Sequence, residues 1–310
     1  MKIRTIAQAD LAKVRELDGA AWEGISPPLK NQTRRYRTLA NLVSNWSEDP
    51  GGCFAAEENG DLVGYVFSHI WGSLGWIGTF GVSPENRGRG IGKKLLVRSI
   101  KHLESNGCTT IGLETRPESS YNLGLYFRHG FRPTYLTLET ERKITNHPAK
   151  GEFVEWSKLE RDDRVILANK FRTMCHLVRP GLDYVKMGIS RVMNKEGEML
   201  AFGDKKHPRG FAVVRFAPKF TGENPTKATV EAMVIGPGSE NKFGQMIEIL
   251  DALARKWDKR SLVLPVNSGD WDVLKSVVRS GFLIRRSMLR MIYKERVRNR
   301  GAVDLSLWAM

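Results

Sequence analysis

Four basic residues and four glycines stand close together in GVSPENRGRGIGKKLL, residues 81–96. The stretch leads from an apolar, strand-like segment through a glycine-rich bend into a helical pattern. The first N–H groups of a helix have no partner within that helix, and the helix dipole adds partial positive charge there. Glycines remove the side chains that would keep a phosphate away from those N–H groups. The residue types and their spacing therefore fit a phosphate site, and they fit equally a helix that follows a flexible loop without a ligand.

Two familiar phosphate motifs do not match this loop. It lacks the GxxxxGK[ST] order of a P-loop. It also lacks the G-x-G-x-x-G order of dinucleotide-binding folds, and Glu104, near the spacing of their acidic residue, lies within the helical pattern. The remaining pattern is Arg87-x-x-Gly90-x-Gly92 at the start of a helix.

The elements that must position this loop can be predicted in order along residues 1–145. The Asn59-Gly60 pair between two apolar runs predicts a hairpin. Helical periodicity predicts a helix over residues 33–47, with Thr33 as its N-cap. The other predicted elements are a strand over 1–6, a helix over 7–22, a strand over 76–82, a helix over 91–105, a strand over 108–115, a helix over 119–130 and a strand over 131–144.

The second half of the sequence repeats this order of elements. RHGFRPTYLTLE and RSGFLIRRSMLR each place Gly-Phe at the end of a helix before a strand. Alignment of Pro84 with Pro237 sets VSPENRGRGIG against IGPGSENKFGQ, in which the loop glycines and both arginines are lost. We predict a helix over 161–175, strands from there to FAVVRF, and two related domains, 1–147 and 148–310.

Composition narrows the class of protein. The net charge of +15 over 310 residues favours polyanionic partners, but no arginine run is interleaved with the aromatics that single-strand binders use. The basic cluster at 285–300 is interpreted as the solvated face and exit of a strand. The arrangement of the basic residues therefore argues against nucleic acid as the main partner.

Cysteine usage and hydropathy predict a cytoplasmic protein. Cys53, Cys108 and Cys175 are odd in number and widely spaced, which predicts buried thiols and neither disulfides nor a metal site. The N-terminus has no apolar core of a signal peptide. Residues 62–82 carry no Lys, Arg, Asp or Glu, but the central turn signal WGSLG predicts two buried strands instead of a membrane helix.

The glycine-rich loop and one later segment together resemble the GNAT superfamily of N-acetyltransferases. The family loop has the form R/Q-x-x-G-x-G/A, and LYFRHGF, residues 125–131, matches its L-Y-x-K/R-x-G-F segment. The resemblance implies an α/β (α+β) fold with two GNAT-like domains, each a mixed, mostly antiparallel sheet flanked by helices. The second would be a degenerate copy, because Val277 stands where Tyr126 is expected.

The resemblance also implies the residues that contact acetyl-CoA, the expected co-substrate. The strand before the loop would pair with the pantetheine arm and supply oxyanion donors, and the loop would hold the pyrophosphate. Many family members have an Asn seven residues before the tyrosine, where this sequence has Ser119 with Asn122 nearby. The implied contacts are Phe80, Gly81, Val82, Arg87, Gly88, Arg89, Gly90, Ile91, Gly92, Lys93, Ser119 and Asn122.

The resemblance implies a general acid but leaves the general base undetermined. Tyr126 matches the family's general acid, although a phenol giving its proton to a thiolate is uphill by about 2 kcal/mol, so hydrogen bonding to the sulfur serves equally well. The base is not evident, because Gly78 and Thr79 stand where several relatives have a carboxylate. His69, Glu114 and Glu23 are candidates, with a buried structural histidine as the competing interpretation of His69.

The sequence thus predicts an acyltransferase that moves an acetyl group from acetyl-CoA to a primary amine of an unidentified acceptor, with one competent site per chain. Two alternatives remain open: a non-catalytic acyl-CoA sensor, which the missing base would permit, and a basic nucleic-acid-associated protein that retains the frame. The sequence does not determine the oligomeric state.

Overall fold

The computed structural model describes residues 1–21, 36–294 and 303–306. The first half follows the predicted order of elements. Its helices are α1 (Leu11–Ala21), α2 (Leu39–Glu48), α3 (Ile91–Ser105) and α4 (Ser120–Arg128). Its strands are β1 (Lys2–Thr5), β2 (Phe54–Glu58), β3 (Asp61–Trp71), β4 (Leu74–Val82), β5 (Thr110–Thr115) and β6 (Phe131–Lys143).

The second half repeats that pattern with one helix that the sequence analysis did not predict. Its helices are α5 (Arg161–Val178), α6 (Val185–Met193), α7 (Phe243–Lys256) and α8 (Trp271–Arg279). Its strands are β7 (Phe153–Glu155), β8 (Gly197–Phe202), β9 (Gly210–Arg215), β10 (Lys227–Ile235), β11 (Ser261–Asn267), β12 (Leu283–Tyr293) and β13 (Val303–Ser306).

Local sequence signals account for the elements around the glycine-rich loop. Helix α3 spans the predicted residues, and its apolar stripe is buried against the sheet, as the 3.6-residue period requires. The β2–β3 hairpin turns through Asn59 and Gly60, both with positive φ (54° and 88°), which favours these residue types. The stretch 62–82 forms the neighbouring strands β3 and β4, as predicted.

Two local predictions were wrong. Helix α2 begins at Leu39 and not at residue 33, because the cap is Thr38, whose Oγ1 accepts a hydrogen bond from the Asn41 N–H at 3.1 Å. Thr33 lies outside the described residues. Residues Val185–Met193, within the region predicted as strands, form α6, which packs on β8 and β9.

The two halves share one sheet because they exchange strands. Strand β12 of the second half lies between β5 and β6 of the first, and β6 in turn pairs with β11. The order is β1-β2-β3-β4-β5-β12-β6-β11-β10-β9-β8-β7, with β13 also paired to β10. Within the described strands only β4–β5 and β10–β11 are parallel, so the sheet is mixed and mostly antiparallel, as predicted.

The cysteine and hydropathy predictions concern buried features that the structure describes. Cys53, Cys108 and Cys175 are all buried free thiols, as predicted. In the described part of the chain, no helix has both the length and the apolar character needed to cross a bilayer. The division into domains 1–147 and 148–310 stays a prediction.

Candidate active site

The first structural feature of the site is the separation of two parallel strands. Strands β4 and β5 pair from Leu74–Thr110 to Ile77–Leu113, and their pairing ends there. We call this point the first fork. On its other side β4 stays paired with β3 up to Val82, with a register shift opposite Gly78 and Thr79. The backbone of residues 78–82 therefore borders a cleft in which an extended ligand can pair with it.

The side chains of β4 beyond the first fork divide between the two faces of the sheet. Phe80 and Val82 pack with the core that lies against α3. A Cβ built on Gly81 would meet Ala21 and Tyr65, so Gly81 faces α1. This alternation follows the two-residue period of a strand. A ligand in the cleft would therefore meet α3 on one face and the end of α1 on the other.

The glycine-rich loop opens towards this cleft. Gly88 and Gly90 both have φ of 77°, a left-handed conformation that other residues adopt only with strain. A Cβ built on either would have no heavy atom within 4 Å, so both positions are open. The first intrahelical bond runs from the Lys94 N–H to the Gly90 carbonyl at 3.2 Å. The N–H groups of residues 91–93 precede that bond and have no intrahelical acceptor.

The two loop arginines hold the loop itself. Arg87 Nη2 donates to the Ala21 carbonyl at 2.6 Å, which ties the loop to the end of α1. Arg89 donates to both carboxylate oxygens of Glu58, at 2.8 and 3.0 Å, and also to Asn86. Lys93, in the first turn of α3, is exposed. The ready anion donors are therefore the backbone N–H groups, and the arginines fix the conformation of the loop.

Tyr126 lies on the α3 side of the cleft. It is buried in α4 within the core that includes Ile77, Ile91 and Leu113, and its ring meets Phe131 edge-on at 5.9 Å. Burial raises the pKa of Tyr126 well above its ordinary value, so the phenol stays protonated. Among the residues described, none hydrogen-bonds to its hydroxyl, which leaves that group available to a ligand.

Ser119 and Asn122 lie at the start of α4, beside Tyr126. Ser119 is the N-cap residue, and its side chain makes no capping hydrogen bond. Asn122 Nδ2 donates to Thr115 Oγ1, at the end of β5, over 3.4 Å. Both predicted contacts therefore lie next to the α4 face of β5.

His69 is fully buried and hydrogen-bonded through both ring nitrogens. Nε2 lies 2.7 Å from the Gly78 carbonyl, and Nδ1 lies 3.2 Å from Glu48 Oε2. Both partners are acceptors, because the charge of Arg191 and the His69 hydrogen bond outweigh burial and keep the pKa of Glu48 below its ordinary value. Because both ring nitrogens contact groups of the protein itself, these contacts favour a role in positioning the bend of β4.

Glu114 follows the last β4–β5 pair, Ile77–Leu113, on the β5 side of the fork. Gly112, two residues before Glu114, faces Trp76. Because side chains alternate along a strand, Glu114 lies on the same face as Gly112, away from α3. Oε1 accepts from Arg290 Nε at 3.0 Å and from the Thr137 hydroxyl. Oε2 is buried and has no hydrogen-bond partner among the described residues.

Two polar groups at the fork escaped the sequence analysis. The Tyr65 hydroxyl donates to the Asp18 carboxylate of α1 and lies 3.5 Å from Thr79 Oγ1. The apolar periodicity of α1 does not single out Asp18. Only the burial of Asp18 in the structure identifies it as a site residue. Glu23, the remaining candidate base, lies outside the described residues.

The second half supplies a buried cation to the same region. Arg191 of α6 donates to Glu48 Oε1 at 3.0 Å and to Glu231 Oε2 at 2.6 Å, and it is fully buried. A chain of contacts therefore runs from Arg191 through Glu48 and His69 to the Gly78 carbonyl. Burial opposes ionisation of Glu231, but Arg191 and the neighbouring cations hold its pKa well below its ordinary value.

The second half lacks the corresponding site groups. Val277, which corresponds to Tyr126, is buried in α8 and has no polar group to offer. Ser239 and Glu240 stand before α7 in place of the glycine-rich loop, and the Glu240 carboxylate accepts from the Gly238 N–H at 3.2 Å. A carboxylate of the protein itself therefore occupies a backbone N–H group in the turn before α7.

Comparisons with known proteins agree with this geometry. The model of the acetyltransferase (GNAT) family matches residues 11–131. A mycothiol acetyltransferase from Streptomyces coelicolor is 34% identical over 95 residues, which are 30% of this chain and 29% of that protein. The chain thus aligns with about a third of the length of this curated relative.

Similarity of fold extends over the whole chain. A Pyrococcus horikoshii protein provisionally described as an acetyltransferase matches with a TM-score of 0.70 and 18% identity, over 99% of this chain and 95% of its own. A tandem GNAT protein from the clavulanic acid biosynthesis pathway matches with a TM-score of 0.60 and 15% identity, over 94% and 97%. Residues 11–131 therefore match the GNAT acetyltransferase family, and the whole chain has the fold of a tandem GNAT protein.

Proposed function

We propose that this protein transfers an acetyl group from acetyl-CoA to a primary amine of an acceptor, at one site in its first half. The observation that carries the proposal is the first fork, where the free edge of residues 78–82 meets the open glycine positions before α3. An acyl-CoA needs both features, a strand edge for its amide-bearing arm and N–H groups for its phosphates.

The residues present fit this co-substrate. The backbone of Phe80, Gly81 and Val82 would pair with the arm and offer donors to the acetyl oxygen. The N–H groups of Gly88, Arg89, Gly90, Ile91, Gly92 and Lys93 would hold the pyrophosphate, with Arg87 fixing the loop. Ser119 and Asn122 would contact the arm from α4. Open space above Gly88 and Gly90 supports this assignment.

Tyr126 is the proposed partner of the departing sulfur. Its raised pKa makes complete proton transfer to a thiolate more costly than for an exposed phenol. A hydrogen bond donated to the sulfur does not require that transfer. We therefore assign Tyr126 the role of a hydrogen-bond donor that stabilises the thiolate.

Glu114 is the proposed base, in preference to His69. Its Oε2 needs a partner, and its position at the fork lies on the face of the sheet opposite α3. Arg290, from the second half, holds the other oxygen and fixes the carboxylate in place. Glu114→Gln should lower kcat/KM about 100-fold and leave the affinity for acetyl-CoA unchanged. An unchanged kcat/KM would exclude Glu114 as the base.

The first experiment is a calorimetric titration with acetyl-CoA. We expect one site per chain. Gly92→Glu places a carboxylate in the first turn of α3, and it should weaken binding at least about tenfold through repulsion of the phosphates. Gly244→Glu is the matched control, because Gly244 is the second residue of α7 and has open space around it. Equal affinities of the two variants would contradict the assigned phosphate site.

Turnover separates this proposal from a non-catalytic acyl-CoA sensor. Release of free thiol from acetyl-CoA, followed over a panel of primary amines, should depend on the amine and on Tyr126. Binding without amine-dependent turnover across the panel would favour the sensor. Three buried free thiols suit a reducing compartment, so we place the reaction in the cytoplasm.

A further inference from the structure

The second half contains a fork that corresponds to the first one. Alignment of Pro84 with Pro237 sets Leu74 on Lys227, and the parallel pairing begins at these residues in both halves. Strands β4 and β10 each have nine residues. The register shift opposite Gly78 and Thr79 recurs next to Glu231, the counterpart of Gly78. The strand edge beyond the second fork, residues 232–235, therefore corresponds to residues 79–82.

The second fork differs from the first in holding a strand. β10 pairs with β11 only over residues 227–229, and beyond that point β13 pairs antiparallel with β10. The register joins Ala232 to Ser306 and Ile235 to Val303. β13 also contacts β11, so it lies between the two separated strands.

We propose that the second fork is a groove that binds an extended peptide strand, and that its occupant is the chain's own segment 303–306. The ligand class is a polypeptide backbone, recognised by strand addition to residues 232–235. The comparison with acyl-CoA in the first fork rests on the proposed function, whereas the peptide groove itself does not.

The charge of the second half also disfavours the alternative occupant. A phosphate at the start of α7 would meet the Glu240 carboxylate, which already accepts the Gly238 N–H. The same alignment sets Glu240 on Arg87, so the first half has a cation at this position. Strand addition does not require a phosphate-binding loop before α7. The pairing of β13 with β10 is therefore consistent with the loss of the loop glycines.

A peptide supplied in trans tests the groove. The probe is a fluorescent peptide of residues 299–310, titrated against a chain that ends at Lys294 and against the full chain. We expect saturable binding of one peptide to the shortened chain and none to the full chain, whose groove is filled. Equal binding to both chains, or none to a shortened chain with native circular dichroism, would overturn the proposal.

A peptide carrying Asp304→Pro and Leu305→Pro is the control. Adjacent N–H groups of a strand point in opposite directions, so one of the two prolines must remove a ladder donor. This peptide should bind at least about tenfold more weakly, the equivalent of one or two backbone hydrogen bonds. Equal affinity of the two peptides would also overturn the proposal.

A disulfide tests the same pairing in the full chain, even if the shortened chain does not fold. Met233 and Leu305 are direct partners, and directly opposed Cα atoms lie at a distance that a disulfide spans. Met233→Cys with Leu305→Cys should oxidise to a form of altered mobility on a non-reducing gel. Ala232→Cys with Val303→Cys, three residues out of register, should not, and cross-linking in the control pair alone would contradict the register.

Acetyl-CoA stoichiometry separates this inference from the proposed function. One site on the full chain agrees with both. Two sites would overturn the peptide groove as the state of the second fork, and would leave the first site in place. No acetyl-CoA binding, together with specific peptide binding, would overturn the proposed function and leave the groove standing.

Discussion

Replacement of Arg191 by Met removes the cation that the second half buries beside the first fork. The guanidinium donates to two carboxylates, Glu231 and Glu48, and to two neutral oxygens, those of Ser44 and Asn45. Met has nearly the same length and no donor. The variant therefore tests what the buried charges contribute without creating a large cavity.

The two carboxylates differ in the partners that remain after Arg191 is replaced. Glu231 keeps Arg215 at 2.8 Å and Lys219 at 3.3 Å, whereas Glu48 keeps only His69, at 3.2 Å. Loss of one partner of a buried ion pair costs about 3–5 kcal/mol. With an unfolding entropy of about 2.1 cal/mol/K per residue over 310 residues, that loss lowers Tm by about 5–8 °C.

Calorimetry and a double-mutant cycle measure this loss. Arg172→Met is the matched control, because the Arg172–Asp183 pair is 2.9 Å long but its arginine side chain is 42% exposed. Such a surface pair contributes about 0–1 kcal/mol. Combining Arg191→Met with Glu48→Gln should destabilise by about 1–3 kcal/mol less than the sum of the two single changes.

The pH dependence of Tm is a second test of the contribution of Arg191. The folded-state pKa of Glu48 is lowered, so its contribution to stability is present above the unfolded value and is lost as the pH falls. The difference in Tm between the native chain and Arg191→Met should therefore shrink as the pH falls below 4.5, the ordinary pKa of a glutamate. A loss no larger than that of Arg172→Met, with no pH dependence, would refute the argument.

Three further predictions concern single side chains. Tyr126→Phe should lower kcat at least about tenfold with unchanged acetyl-CoA affinity by calorimetry, and unchanged turnover would remove its catalytic role. Burial and the neighbouring Arg215 lower the pKa of Lys219 to about 8, so the native chain binds fewer protons than the unfolded chain above that pH. Its stability relative to Lys219→Met should therefore rise between pH 8 and 10.5, by at most about 3 kcal/mol, and a flat difference would show that Lys219 is not so perturbed. Thr38→Ala should cost about 1 kcal/mol of unfolding free energy and Thr38→Ser much less, and equal losses would argue against the side-chain cap.

Features set by neighbours in sequence were predicted well. The glycine-rich loop and α3 depend on the spacing of residues 87–103, and the β2–β3 turn depends on two residues. The start of α2 was misplaced because two threonines, Thr33 and Thr38, offer the same capping signal, and only the backbone distinguishes them. Helix α6 was missed because nine residues are too few for periodicity to distinguish a helix from a strand.

Features set by distant residues could not be predicted. Arg191 and Glu48 meet across the two halves, and nothing in the sequence near either residue identifies the other. The same holds for Arg290 and Glu114, which are adjacent only because β12 lies beside β5. The base was therefore left undetermined, although Glu114, the base we propose, was among the candidates.

The strand exchange also has a consequence for how the polypeptide reaches its native state. Leu289 pairs with Thr115, and Leu283 pairs with Glu141. These residues are so far apart in sequence that they can pair only when the chain is nearly complete. Long-range pairing of this kind slows folding and makes it cooperative, because loop closure precedes the contacts that offset its entropy. During synthesis one edge of β5 therefore stays unpaired until β12 has been synthesised. Conversely, a protease cut between β6 and β7 in the finished protein would leave two fragments held together as one particle, and only denaturation would separate them.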